Sequence, residues 1–292
     1  MDTLMKLTSR NIRVYVRDRM SVFFSFLSVI ITIGLYILFL GELQFNGIKN
    51  AVGDIPGIRP LINSWIMAGL ITINAVTVSL GMLGTMVFDI EYKRFPDFIV
   101  APVSRTMVVT SYLIASWAIS FIFSLVALVA AELYVLSSGG ALLSVINMLK
   151  ALGIIALTVV TSSTLMFFVM SFIKTGSAFG TLSTVLGTLI GFLTGVYVPV
   201  GVLPDVIQKV VVLVPFSHSA ALLRQVFCEQ PMAEVFAGAP AQVLNSYIRE
   251  NGVTMYWGDT AISAPAMLAV LGGVAVLFIL LSALRLRRYK QA

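Results

Sequence analysis

The sequence predicts an all-α membrane protein with six transmembrane helices. It also predicts an N-terminal amphipathic interfacial helix and a re-entrant helical hairpin between spans five and six. Three observations carry this prediction. Apolar residues make up 59% of the 292 and charged residues 11%, where a soluble domain carries about 25% charge. Mean hydropathy is +0.99. Six runs are long enough to cross a bilayer, which takes about 20 apolar residues. The run that begins at Leu193 then meets Pro199, Pro204 and Pro215. Proline lacks the backbone donor and does not fit a helix interior. Broken backbone at membrane depth is tolerated only where protein or a water-filled cavity shields it. That feature points to a pathway rather than a passive anchor.

Residues 1–19 form the interfacial helix. Lys6, Arg10, Arg13 and Arg17 recur at spacings of four, three and four and share one helical face. Met5, Ile12, Val16 and Met20 share another. A basic amphipathic helix suits a membrane surface, where each cation is worth about 1 kcal/mol near anionic lipid. A positive flank that only sets topology is the blander alternative. Residues 20–198 hold spans one to five: 20–40, a second within 60–88, then 106–136, 151–173 and 175–198. No small-residue cleavage site follows the first run, which reads as a retained span. Residues 199–261 are expected to form the hairpin and an external cap. Short helices fall at 205–213 and 217–228, separated by a break at Pro215 and with Ser217 as N-cap. A further helix falls near 240–250, and Tyr256 and Trp257 suit headgroup level. Span six is 262–284 and a basic tail is 285–292. The whole chain, 1–292, reads as one transmembrane domain.

Thirteen of the 19 Lys and Arg residues fall on one side of this arrangement. By the positive-inside bias both termini are cytoplasmic. The lack of an N-x-[ST] sequon fits a bacterial cytoplasmic membrane.

Much chemistry is excluded. No G-x-x-x-x-G-K-[ST] is present to cradle nucleotide phosphates, and no H-E-x-x-H. One histidine, His218, and one cysteine, Cys228, supply no metal cluster. Glu132 alone is ionisable well inside a span, whereas carriers that relay ions keep such groups for function. Glu132 either pairs with Lys150 across the outer turn or faces a pathway. Asn74, with Thr72, Thr77 and Ser79, either lines a cavity or bonds between helices. Gly187, Gly191 and Gly195 form two overlapping G-x-x-x-G frames, which serve either a subunit interface or packing inside one bundle. The loop 89–105 mixes Glu91, Lys93, Arg94 and Asp97 with Phe95 and Phe98. It is either a docking surface or an ordinary solvated loop.

Three stretches resemble the permease subunit of ABC-2 type transporters. KLTSRNIRVYVRDRMSVFFSFLSVI resembles the family's opening helix and first span. EYKRFPDFIVAPVSR resembles its coupling segment, which ends in P-[VI]-S-R. Gly195, Pro199, Leu203-Pro204, Pro215 and Arg224 match the pattern after span five. Many members carry Gly-Thr where this chain has Phe95-Pro96. The resemblance implies two permeases, identical or paralogous, meeting through spans one and five, where Gly187, Gly191 and Gly195 lie. It implies two cytoplasmic ABC ATPase subunits that bind the ATP and magnesium, with no cofactor, metal or catalytic residue in this chain. Glu91, Lys93, Arg94, Phe95, Asp97 and Phe98 would couple to the ATPase. Gly195, Pro199, Pro204, Pro215 and Arg224 would form the outer gate. Lys6, Arg10, Arg13 and Arg17 would face membrane lipid. The expected cargo is amphiphilic: a drug, a lipid or an antimicrobial peptide. Nucleic acid is not an expected partner. An ion-coupled secondary carrier, or a membrane sensor or resistance accessory without transport, are the alternatives.

Overall fold

The computed structural model describes residues 2–20, 22–23, 27, 30–31, 34, 41–94 and 103–288. Those residues are mostly helical. In chain order they form α1 (Asp2–Arg17), α2 (Gly41–Val52), α3 (Ile58–Glu91), α4 (Arg105–Ser137), α5 (Val145–Met170) and α6 (Gly176–Leu193). There follow α7 (Asp205–Leu213), α8 (Pro215–Phe227), α9 (Glu229–Val235), α10 (Ala241–Glu250), the strands β1 (Tyr256–Trp257) and β2 (Thr260–Ala261), and α11 (Ala264–Arg288). Five of them, α3, α4, α5, α6 and α11, are long and apolar enough to cross a membrane. They correspond to spans two to six of the sequence reading. The first span, 20–40, falls mostly outside the described residues.

The helix starts follow from local chemistry. Ser104, Ser144 and Thr175 each accept a hydrogen bond from the backbone N–H three residues on, at the first turns of α4, α5 and α6. These are side-chain N-caps, which satisfy donors that have no partner inside the helix. α3 is apolar all round and is the axle of the bundle. Its 34 residues span roughly 50 Å at 1.5 Å per residue, more than a hydrocarbon core of about 30 Å. α4, α5, α8 and α6 pack around it. Within the most apolar stretch of α3, 89% of residues are buried, against 11% in α6. Spans are also joined by hydroxyls. Ser79 Oγ bonds Ser120 Oγ at 3.0 Å and Ser163 Oγ at 2.9 Å. Thr72 Oγ1 lies 3.3 Å from Ser219 Oγ. The Thr72 and Ser79 hydroxyls therefore bond between helices.

Three local expectations need correction. α8 begins at Pro215 itself, so the break is at Val214, whose ψ of 125° is extended. Proline at a first helical position loses nothing, because that N–H has no partner in the helix anyway. Ser217 consequently sits inside the first turn and is not the N-cap. Its Oγ donates to the carbonyls of Val211 and Val214, both at 2.7 Å. The His218 Nε2 donates to the Val212 carbonyl at 2.7 Å. The 90° corner between α7 and α8 thus has its open carbonyls filled by α8 side chains, as a buried helix end requires. Glu132, finally, does not pair with Lys150. The turn after α4 folds back and brings the Leu143 N–H to 2.9 Å from its carboxylate. Lys150 turns to Asn147 Oδ1 at 3.0 Å and lies 3.8 Å from Glu229.

Beyond the corner, α9, α10 and the small β-hairpin form a cap on the same end as α2. Trp65 on α3 reaches into it, donating from Nε1 to the Asn251 carbonyl at 2.7 Å.

Candidate functional site

Most of the described residues singled out by sequence gather at two ends of the bundle. The first end is where α3 stops beside α1. Here the chain reverses through a Schellman turn, with Arg94 N–H bonded to Asp89 O at 2.9 Å and Lys93 N–H to Ile90 O at 3.1 Å. The pivot, Lys93, has φ of 55° and is the one non-glycine with positive φ among the described residues. That position normally takes glycine, because a Cβ there is crowded by about 1–2 kcal/mol. Something must hold the turn. Asp89, 1% exposed, receives the Arg10 guanidinium on both oxygens, including Nη2 to Oδ1 at 3.0 Å. Tyr112 OH on α4 donates to the same carboxylate at 2.6 Å, and Arg94 adds a longer bond at 3.3 Å. Asn11 Nδ2 bonds Ser111 Oγ at 2.9 Å, fastening α1 to α4 next to this knot. The bond to Asp89 holds the Arg10 guanidinium above its ordinary pKa despite partial burial, so it stays charged. A buried carboxylate stands only when paired and hydrogen-bonded, and Asp89 is both.

Of the residues expected at the coupling segment, Glu91, Lys93 and Arg94 lie at this turn. Glu91 abuts Gly176 at the start of α6, and Phe88 packs edge-on to Phe179 with centroids 5.6 Å apart. Phe95, Asp97 and Phe98 lie outside the described residues. The four cations of α1 divide. Arg13 and Arg17 are exposed, Lys6 is exposed and ion-paired to Asp2, and Arg10 turns inward to Asp89. The apolar residues Met5, Val16 and Met20 remain exposed.

The second end is the hairpin. α6 also closes in a Schellman turn, with Val196 N–H to Gly191 O at 2.9 Å and Gly195 N–H to Phe192 O at 3.0 Å. Here the pivot is a glycine, Gly195, with φ of 67°. Arg224, fully buried on α8, bonds the Gly195 carbonyl at 3.1 Å and the Gly252 carbonyl at 3.4 Å. Its guanidinium lies 4.2 Å from the ring centroid of Trp65, a cation–π contact that strengthens when desolvated. One side chain thus ties the end of α6, the cap and α3 together. Pro199 and Pro204 stand just before the short 3₁₀ turn and before α7. Gly191 faces Tyr197 so closely that a Cβ would lie 2.2 Å from its ring. Gly191 and Gly195 therefore serve packing inside this chain, while among the described residues nothing lies within 4 Å of a Cβ built at Gly187.

Sequence reasoning missed Asp89, Tyr112, Asn11 and Trp65 as members of these sites. Asp89 carried a signal: it is the first carboxylate after an uncharged span. Among the described residues no group of His, Cys, Asp and Glu could hold a metal ion.

Comparison with curated proteins returns no match. The sequence pattern of ABC-2 type transporters matches residues 3–228, which takes in the α1 knot, the axle helix and the hairpin through Arg224. A match over so much of the chain, on a multi-pass bundle of apolar helices, makes this protein a member of the ABC-2 type transporter family.

Proposed function

We propose that this chain is the permease subunit of an ATP-driven exporter that moves an amphiphilic substrate, such as a drug, a lipid or an antimicrobial peptide. Membership of the family supports a permease partnered by an ABC ATPase. The observation that carries the reading further is the Asp89 knot. It fastens the end of α3, the most buried candidate span among the described residues, to α1 and α4 directly before residues 95–102 of the expected coupling segment. A push on that loop would move α3 as a rigid body, and packed helices respond by hinge and shear rather than by bending.

In this reading both termini face the cytoplasm of a bacterial cell. Each of two ATPase subunits, holding ATP and magnesium, receives one coupling loop through Glu91, Lys93, Arg94, Phe95, Asp97 and Phe98. A second permease, identical or related, meets α6 and the first span. α6 is the least buried candidate span among the described residues, and its open side carries Gly187 with an edge of exposed hydroxyl residues, Ser177, Thr181, Thr184 and Thr188. The hairpin of α7 and α8, pinned by Arg224, is the outer gate. Arg13 and Arg17 lie at the membrane surface. This chain performs no covalent chemistry. An ion-coupled carrier finds no support, since Glu132 is engaged by the turn after α4.

The test is to purify the chain with its ATPase and replace Phe95, Asp97 and Phe98 together by Ala. Loss of ATP-dependent transport with the permease still folded supports the coupling assignment. Unchanged hydrolysis and unchanged transport defeat it.

A further inference from the structure

Two cavities meet beneath the cap, and together they have the form of an amphiphile. The larger, 880 Å³, lies between the first turns of α5 and α11 and the hairpin and cap helices. That size falls within the range of about 300–1,000 Å³ common for small-molecule sites. Its floor is apolar and buried, made of Ile154, Leu222, Val226, Phe236 and Val253. Its mouth is formed by exposed residues of two spans, Leu149 at 63% and Leu268 at 39%. Because α5 and α11 are long and apolar enough to cross a membrane, a mouth at their first turns would lie at the lipid–water boundary. The second cavity, 710 Å³, lies between the start of α3, the turn before α5 and α9; it is the more polar of the two, with Ser64, Ser144, Gln230 and Glu234 beside apolar residues such as Val135 and Leu142. Three residues sit by the junction: Lys150 and Glu229 line both cavities, and Asn147 lines the polar one. Asn147 bridges the pair, donating to Glu229 Oε2 at 2.6 Å and accepting from Lys150 Nζ at 3.0 Å. The direct contact between the charges is loose, 3.8 Å, and both side chains remain about half exposed. Each charge therefore keeps room for an outside partner.

We infer that this paired cavity holds a zwitterionic phospholipid of the surrounding bilayer, with an acyl chain in the apolar chamber and an amine-bearing phosphate headgroup in the polar one. Lys150 meets the phosphate as a charge-assisted donor. Glu229, with Glu234 nearby, meets the ammonium. A purely anionic headgroup would face two carboxylates for one lysine, so the charge pattern selects the zwitterion. A bare alkane would leave the polar chamber empty. The lipid would brace the cap against α5 and α11 and seal a gap in the wall of the bundle. This inference rests on the cavities and does not depend on what the protein transports.

The full-length chain in nanodiscs of phosphatidylethanolamine and phosphatidylglycerol tests it. A phosphatidylethanolamine carrying a diazirine in its acyl chain is photolysed, and labelled peptides are identified by mass spectrometry. Labelling concentrated on α8 and α10 is expected. Leu244→Trp, at a half-buried wall position, should abolish that labelling, and Leu222→Trp should do the same from the floor. Lys150→Glu should lower it about tenfold, the equivalent of one lost charge-assisted contact. Each variant is first checked for unchanged thermal unfolding, and Leu244→Trp stands alone if Leu222→Trp is unstable. Equal labelling by a phosphatidylglycerol probe, or labelling that survives Leu244→Trp, overturns the inference. So does capture of detergent in the chamber with phospholipid excluded.

Discussion

The helices α3 and α6 end in the same hydrogen-bonded turn, yet they are secured by opposite means. At α6 the pivot is Gly195, which adopts positive φ without strain, and the arginine that grips the turn bonds its carbonyl. At α3 the pivot is Lys93, which is strained there, and the arginines bond the Asp89 side chain four residues before it. The hairpin end is relaxed and held by a buried guanidinium on neutral carbonyls. The knot end is strained and held by formal charge. Strained backbone persists only where its surroundings over-determine it, and it clusters at switch regions. The difference sets a strained turn held by formal charge against a relaxed one held by neutral carbonyls. The strained turn lies beside the segment proposed to couple to the ATPase.

The sharpest way to break the comparison is at Arg224. Arg224→Ala should destabilise the folded protein by about 3 kcal/mol or more, since charged hydrogen bonds contribute about 1.5–3 kcal/mol each and their carbonyl partners would be left buried. Reversible unfolding in mixed detergent micelles measures it. A change under 1 kcal/mol would mean that the hairpin is held by other contacts. Arg224→Lys should recover only part of the loss, because an ammonium lacks the planar fork.

At the knot the discriminating quantity is a coupling energy. A double-mutant cycle of Arg10→Met with Asp89→Asn should give about 1–3 kcal/mol, the range for residues sharing one charged network. Additive effects would separate α1 from the end of α3. Next in size is Gly195→Ala. The added Cβ would lie 2.6 Å from Val200 Cγ2 and the residue would be left at positive φ, a loss of about 1–2 kcal/mol. The smallest effect carries the opposite sign. Lys93→Gly should leave the knot end unchanged or stabilise it by up to about 1 kcal/mol, because glycine accepts that φ. If Lys93→Gly destabilises instead, the turn is not strained and the contrast between the two ends fails.

Much of the bundle was legible in the sequence because lipid imposes a long apolar run on every span. Spans two to six all appear, with ends up to six residues from their expected limits: α5 starts at Val145 rather than 151 and α6 stops at Leu193 rather than 198. The hairpin was legible for the same reason in reverse, since prolines cannot continue a span. The knot was less visible. Arg10 reads as one of four cations on a helical face, and only its distance to Asp89, 79 residues away, separates it from Arg13 and Arg17. The second helix of the corner starts two residues before its expected start, because proline, expected to break the helix, also starts helices. The glycines of span five were left between two uses. Geometry assigns Gly191 and Gly195 to the chain's own hairpin and leaves Gly187 open, a distinction that spacing does not contain.

The decisive measurement is the amount of substrate exported per ATP hydrolysed by the reconstituted permease–ATPase complex, with wild-type chain and with Asp89→Asn. If force passes from the loop into α3 through the knot, the variant should keep hydrolysing ATP while export per ATP drops about tenfold, the equivalent of about 1.4 kcal/mol of lost coupling. An unaltered ratio in a complex that is intact and folded would contradict it.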